Sequence, residues 1–278
     1  MNIQWFPGHM AKTKRILSEN LKLVDVVIEI LDARIPLSSK NPEFDIIIGN
    51  KKKIVVLNKS DLADNELNGI WERYFRKNGA ECISVDSLKG KGMNKVISSL
   101  KNMMSETFEK DLKKGRIFRP IRTMVGGIPN SGKSSFINKL AGRAITITGD
   151  KPGVTKSKQW IRIRKDIELL DTPGILWPKF EDEKTGLNLA FTGAIPDDII
   201  DTVEIAEKLL KFLVVSYPQS TKERFKLEPL QSESLLESAG RKRGCLVSGG
   251  KVDLNRISVI VLDEFRGGKL GRITLEKP

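Results

Sequence analysis

The chain of 278 residues suffices for one large domain or two modest ones, and its 39% hydrophobic and 30% charged content is that of a soluble globular protein. No stretch reaches the roughly 18 apolar residues needed to cross a bilayer. The start, MNIQWFPGHMAK, lacks the basic-then-apolar pattern of a secretory signal, and the two cysteines, Cys82 and Cys245, suit a reducing cytoplasm better than a disulfide framework.

Taken in chain order, LVDVVIEILD (23–32) is rich in β-branched residues and reads as a buried strand. KIVVLNK (53–59) reads as a second strand ending in a polar turn, residues 66–78 as a helix, and ECISVD (81–86) as a third strand. Met93, Val96, Ile97, Leu100 and Met103 recur at helical spacing, which predicts an amphipathic helix over 92–107, followed by a charged connector over about 108–118. IRTMVGG (121–127) is a strand running into a glycine-rich turn, and SGKSSFINKLAG opens a helix. WIRIRK (160–165) and IELLD (167–171) read as paired strands. Strands alternating with helices predict an α/β fold, a mainly parallel sheet with helices on both faces, over residues 1–178. From 179 to 278 the character changes to a smaller α-helical domain. One long helix is expected over 196–217, and others over 231–240 and 253–266, the last capped by Asp253 and ended by Gly267 and Gly268.

Net charge is +13, and the excess sits on the first two-thirds of the chain. It is densest at Lys110, Lys113, Lys114, Arg116, Arg119 and Arg122, and again at Lys151, Lys156, Lys158, Arg162, Arg164 and Lys165. Such an excess points to a polyanionic partner larger than a nucleotide, a nucleic acid above all. The plainer reading is a lysine-rich solvated surface.

Gly127-Ile128-Pro129-Asn130-Ser131-Gly132-Lys133-Ser134 fits G-x-x-x-x-G-K-[ST] between a strand and a helix. Glycines let the backbone wrap phosphate oxygens, and the helix presents its positive end to the anion. Gly127, Asn130, Ser131, Gly132, Lys133, Ser134 and Ser135 are the candidate phosphate-loop residues. Lys133 is expected on the β- and γ-phosphates and Ser134 on Mg2+. Asp171-Thr172-Pro173-Gly174 ends a hydrophobic strand. Asp171 is a second candidate Mg2+ ligand, and the Gly174 backbone N–H a γ-phosphate donor. Thr155, in Pro152-Gly153-Val154-Thr155, is the candidate switch threonine, reaching Mg2+ and γ-phosphate when GTP is bound; Thr146 and Thr148 share its loop.

Asn58-Lys59-Ser60-Asp61 fits N-K-x-D at a strand end. The Asp61 carboxylate matches the ring N–H and exocyclic amine of guanine, which adenine does not offer, and the Lys59 stem packs along the base. Asn58 can bridge to the base and tie this loop to the phosphate loop. Ser84, Val85, Asp86 and Ser87, after the next strand, are expected to give backbone contacts to the base. Ordinary GTPases run phosphate loop first and guanine motif last. Here the order is reversed, as a circular permutation would make it, with 108–118 as the joining segment.

With Trp5-Phe6-Pro7-Gly8-His9-Met10, Asp32-Ala33-Arg34, NKSD and GIPNSGKSS in this order, the chain resembles the ribosome biogenesis GTPase A family over nearly its whole length. The resemblance implies a cytoplasmic bacterial GTPase acting late in assembly of the large (50S) ribosomal subunit, with particle-stimulated hydrolysis coupled to release. It further implies a C-terminal helical domain on ribosomal RNA, GTP and GDP as ligands, no membrane, and a monomer off the ribosome. The C-terminal region is near neutral, with only Arg241-Lys242-Arg243 locally basic, so the RNA contact is expected to be shared with the first domain. Ile175 stands where many GTPases carry a water-orienting glutamine, and the resemblance makes His9, the one histidine of the chain, the candidate catalytic residue beside Lys133 and Thr155. In related GTPases an asparagine at the place of Asn130 ligates K+; a loop asparagine bonding its own backbone is the alternative. Asp32-Ala33-Arg34 receives no chemical role at this level. Two further functions stay open: an RNA-binding scaffold that uses GTP as a structural ligand, and a small-molecule P-loop kinase, against which N-K-x-D argues.

Overall fold

The computed structural model describes residues 17–116, 119–144, 160–170, 182–227 and 234–278. Its strands are Val26–Asp32 (β1), Lys52–Asn58 (β2), Glu81–Ser84 (β3), Ile121–Gly127 (β4), Trp160–Arg164 (β5) and Ile167–Leu170 (β6). They form a six-stranded sheet in the order β3-β2-β1-β4-β6-β5, in which only β5 runs antiparallel to its neighbour. All seven residues of β1 are buried, which fits a central strand covered on both faces.

The two-residue period of β1 sorts the covering helices. Val26, Ile28 and Ile30 face Met93–Lys113 (α3) and Lys133–Ala141 (α4), meeting Val96, Leu100 and Phe136. Val27 faces Phe44 of Pro42–Ile48 (α1), and Leu31 faces Trp71 and Phe75 of Asn65–Lys77 (α2). Glu29 points to this second face and pairs there with Lys53, 3.0 Å away, while Lys53 also bonds Asp45 on α1. Burial pushes the Glu29 carboxyl above the ordinary carboxylate range.

The C-terminal region is helical: Glu183–Phe191 (α5), Thr202–Ser216 (α6), Pro218–Phe225 (α7), Leu235–Lys242 (α8) and Leu254–Arg266 (α9). Their shared core includes Leu189, Leu209, Leu213, Phe225, Leu236, Val261 and Phe265, and it takes in Ile35 and Ile128 from the loops that follow β1 and β4. The phosphate loop therefore drives one apolar side chain into the helical core. The final residues return across the sheet half: Leu270, Ile273 and Leu275 are buried, and the Leu275 N–H donates to Arg34 O at 2.8 Å.

Several boundaries differ from expectation. The helix expected over 92–107 continues to Lys113, absorbing the first half of the charged connector. The single helix expected over 196–217 is broken: a 3-10 turn at Asp197–Ile199 ends in extended Ile200, and Asp201 caps a new start by accepting from the Val203 and Glu204 N–H groups. Asp197 is drawn off by Arg266, at 2.7 Å. Asp253 caps α9 as expected, while residues 231–233 of the helix placed at 231–240 lie outside the described residues. Helices α1, α5 and α7 are too short for a periodic signal; α1 and α5 begin at Asn41 and Asp182, whose side chains cap them.

Candidate functional site

The register of the sheet brings the two motifs together. Asn58 stands opposite Asp32, and Gly127 opposite Ile30, so both loops leave the same sheet edge with only β1 between them. In an open parallel sheet this carboxyl edge is where ligands bind. Gly127 has φ 152°, and a Cβ there would sit 2.4 Å from Ile30 O. Gly132 has φ 90°, and a Cβ there would sit 2.3 Å from Asn58 Nδ2. Gly127 is dictated by a close backbone approach, and Gly132 by its positive φ beside the Asn58 amide.

Asn58 is the clamp between the loops. Only 2% exposed, it donates from Nδ2 to Ser131 O at 2.9 Å and Gly132 O at 3.5 Å, and its Oδ1 accepts from Ser87 Oγ at 2.6 Å and Ser87 N at 3.3 Å. The expected tie between loops is present; a bridge from Asn58 to the base would cost one of these bonds. Lys59, in the left-handed region at φ 58°, places Nζ 2.5 Å from Asn130 O and 3.0 Å from Asp32 Oδ2. Half-buried Asp61 makes no hydrogen bond or ion pair among the described residues, so its carboxylate keeps its acceptor capacity.

The stretch expected to touch the base buttresses the loop. Ser84 N donates to Glu72, Val85 N to Leu57 O, Asp86 N to Lys91 O and Ser87 N to Asn58. Val85 O accepts from Ser60 N at 3.1 Å. The Asp86 carboxylate folds onto the Leu88 and Lys89 N–H groups, both at 3.0 Å. The backbone N–H groups of Ser84, Val85, Asp86 and Ser87 are thus committed to shaping the loop around Asn58 and Ser60.

Asp32-Ala33-Arg34 acquires a structural meaning. Arg34 holds the buried Asp32 with a two-pronged pair, Nε to Oδ1 at 2.9 Å and Nη2 to Oδ2 at 2.7 Å. Burial alone would raise the Asp32 carboxyl, but Arg34 and then Lys59 outweigh it and hold the group well below the ordinary range. Arg34 also lies 5.3 Å from the Phe265 ring and donates to Arg266 O at 3.4 Å, both at the end of α9. A chain of polar contacts runs from the phosphate loop through Lys59, Asp32 and Arg34 into the helical region.

In the phosphate loop, Ile128 O accepts from Ser131 Oγ at 2.9 Å and Lys133 Nζ at 2.7 Å, closing a small ring of residues at the start of α4. No side chain among the described residues caps α4, and Gly132 precedes it in left-handed conformation; a helix start of this kind suits an anion. Ser134 exposes its hydroxyl on the first turn, with Ser135 half-buried beside it. Asn130, at φ 57°, donates from Nδ2 to Gly193 O at 2.6 Å, just beyond α5. His9, Thr155, Asp171 and Gly174 lie outside the described residues.

Several of the arginines pair within the molecule. Arg119 pairs with Asp25 at 2.7 Å, the Arg122 guanidinium lies 5.0 Å from the Trp160 ring, Arg241 pairs with Glu237, and Arg243 pairs with Glu264. Lys110, Lys113 and Lys114 at the end of α3 are exposed. No helix among the described residues is long and apolar enough to cross a membrane.

A sheet of this topology, with G-x-x-x-x-G-K-S after β4 and N-K-x-D earlier in the chain after β2, defines a circularly permuted P-loop GTPase. The family profile of the 50S ribosome-binding GTPases, MMR_HSR1, matches residues 122–237. A protein named Ribosome biogenesis GTPase A from Bacillus cereus is 50% identical over 280 aligned residues, covering 100% of this chain and 95% of that one. The chain belongs to the ribosome biogenesis GTPase A family. Two solved structures are similar across nearly the whole fold. GDP-bound TM YlqF has TM-score 0.69 at 29% identity, covering 95% of this chain and 99% of that one. GNP-bound YlqF from T. maritima has TM-score 0.68 at 30% identity, covering 96% and 98%.

Proposed function

We propose that this GTPase is a cytoplasmic, monomeric assembly factor of the large ribosomal subunit, acting late in its maturation, with hydrolysis stimulated by the particle and coupled to release. The observation that carries the reading is the Asn58 clamp, which joins a purine-reading loop to an anion cradle at 2.9 Å across 73 positions of sequence. In this reading Asp61 takes the guanine edge, Lys59 lines the base, and Lys133 with the first N–H groups of α4 takes the phosphates. Mg2+ would be held by the Ser134 hydroxyl together with Thr155 and Asp171, and when bound it would neutralise charge on the phosphate oxygens. Gly174 would add a backbone donor to the γ-phosphate, and His9 would position the attacking water, since Ile175 has no group to do so. K+ would bind Asn130 through Oδ1, since Nδ2 is a donor and is bonded to Gly193 O.

Residues 1–178 form the nucleotide domain and 179–278 the domain that meets ribosomal RNA, with exposed Lys110, Lys113 and Lys114 extending the contact onto the first. Contacts at Asn130–Gly193 and Arg34–Arg266 give the nucleotide a route to the helices. The test is co-sedimentation with separated ribosomal subunits under GDP and under a non-hydrolysable GTP analogue, with multiple-turnover hydrolysis in KCl and NaCl for the wild type and His9→Ala. Binding to large subunits only with the analogue, and particle-stimulated turnover lost in His9→Ala, is expected. Equal binding under both nucleotides without stimulated turnover would favour an RNA scaffold that holds GTP structurally.

A further inference from the structure

The loop that carries Asp61 is gripped by the last residues of the chain. Arg272 donates from Nη2 to Ser60 O at 2.7 Å and from Nε to Ala63 O at 2.8 Å. Ile273 N donates to Leu62 O at 2.8 Å, and Thr274 Oγ1 accepts from Asp64 N at 2.9 Å. Three consecutive tail residues thus fix four peptide groups that bracket Asp61. Ser60 O also accepts from Asn68 Nδ2 at 2.9 Å, and Leu62 N donates to Lys59 O at 2.9 Å. The tail is itself anchored: Tyr217 at the end of α6 donates its hydroxyl to Thr274 O and accepts from Thr274 N, both at 3.0 Å, and the Glu276 carboxylate accepts from Leu37 N at 2.7 Å and Asn188 Nδ2 at 3.0 Å. The tail therefore spans from the helical region to the base loop, and the loop has no other charged donor on its carbonyls among the described residues.

We infer that the C-terminal tail, through Arg272, Ile273 and Thr274, is the positioning element of the guanine loop, setting the direction of Asp61 and with it base selectivity and nucleotide retention. The inference rests on the reading of Asp61 as the guanine contact. A carboxylate discriminates only when held at the right place before the base arrives; a loop left to wander spends binding free energy on ordering itself. Arg272 suits the task because its planar fork satisfies two carbonyls at once, and a lysine there would reach one. By reciprocity, whatever lifts the tail loosens the nucleotide, and bound nucleotide holds the tail down.

The test measures affinity of the full chain for GDP and for inosine diphosphate, which lacks the exocyclic amine that Asp61 reads. The wild type, Asp61→Asn, Arg272→Ala, Arg272→Lys and Thr274→Ala are compared. Arg272→Ala is expected to weaken GDP about tenfold, as loss of two charge-assisted hydrogen bonds to a positioning loop allows, while inosine diphosphate weakens much less. The preference between them then narrows, Arg272→Lys recovers part of it, and Thr274→Ala moves the same way by a smaller factor. In the wild type, GDP should also slow hydrogen exchange at the Ile273 amide. A merely structural tail would weaken both nucleotides equally or neither. An unchanged preference in Arg272→Ala, beside a collapsed one in Asp61→Asn, would overturn the inference while leaving the base site standing. No preference in the wild type would remove the base-site reading and the inference with it.

Discussion

The phosphate loop after β4 combines bonds among its own atoms with contacts from Asn58, Lys59 and Gly193, whereas the base loop after β2 relies mainly on atoms from farther along the chain. In the first, Ile128 O gathers Ser131 Oγ and Lys133 Nζ within five residues, and Gly127 and Gly132 supply backbone conformations that other residues resist. In the second, Ser60 and its neighbours depend on Asn68, Val85, Arg272, Ile273 and Thr274. A loop held from outside is where other parts of the molecule can influence the ligand. The permuted order places the base loop early in the sequence and its support at residues 272–274, so segments 212 positions apart meet at the candidate guanine site.

The comparison can be broken most severely at the shared floor. Asp32 serves both loops by anchoring Lys59, which reaches Asn130 O, and by pairing with Arg34. Asp32→Asn leaves two cations with too little counter-charge, and a loss of about 3–5 kcal/mol of stability is expected by chemical denaturation near neutral pH. The sign with pH follows from the direction of the shift. The folded carboxyl titrates below its unfolded value, so its contribution is complete above the unfolded value of about 4 and is lost as pH falls from there toward the folded value. The stability gap between wild type and Asp32→Asn should therefore shrink only in strong acid; a gap that is flat across that range would contradict the pairing.

Next in size is Gly132→Ala. The new Cβ would meet Asn58 Nδ2 at 2.3 Å in a left-handed backbone, which pushes the loops apart. A cost of about 2–3 kcal/mol in stability is expected, with weakened binding of GDP and GTP alike in calorimetric titration. Asn58→Ala should follow, at about 1–3 kcal/mol, because it strips partners from Ser131 O and Ser87 while leaving each loop's own bonds intact. If the phosphate loop is self-supporting, inorganic pyrophosphate binding should survive Asn58→Ala better than GDP binding does; equal losses would show that the two loops are not separable.

The same contrast explains what could be read before the fold was known. The phosphate loop was legible because its determinants are consecutive: glycines, Lys133 and Ser134 between a β-branched strand and a helix. The lettering of the base loop was legible too, but its supports were not, since nothing local ties Arg272 to Ser60 across 212 positions. The N–H groups of Ser84 to Ser87, expected at the base, turn to the loop framework, a choice made by Leu57, Glu72 and Lys91. Asp32-Ala33-Arg34 is a readable i, i+2 charge pair at a strand end, but its burial against Phe265 depends on helices more than 200 residues away. In the helical region, the apolar run over 202–216 was clear, whereas the break at Asp201 arose from capping chemistry that outweighed the expectation of one continuous helix.

Whether the two loops form one guanine pocket is measured most directly by titrating GDP and ADP, in parallel, into the wild type and Asp61→Asn. GDP should bind the wild type at least about 1000-fold more tightly than ADP, as a buried-edge hydrogen-bonding site dictates, and most of that preference should vanish in Asp61→Asn while the protein stays folded. A wild type that takes both nucleotides equally, or an Asp61→Asn variant that keeps the full preference, would contradict the account.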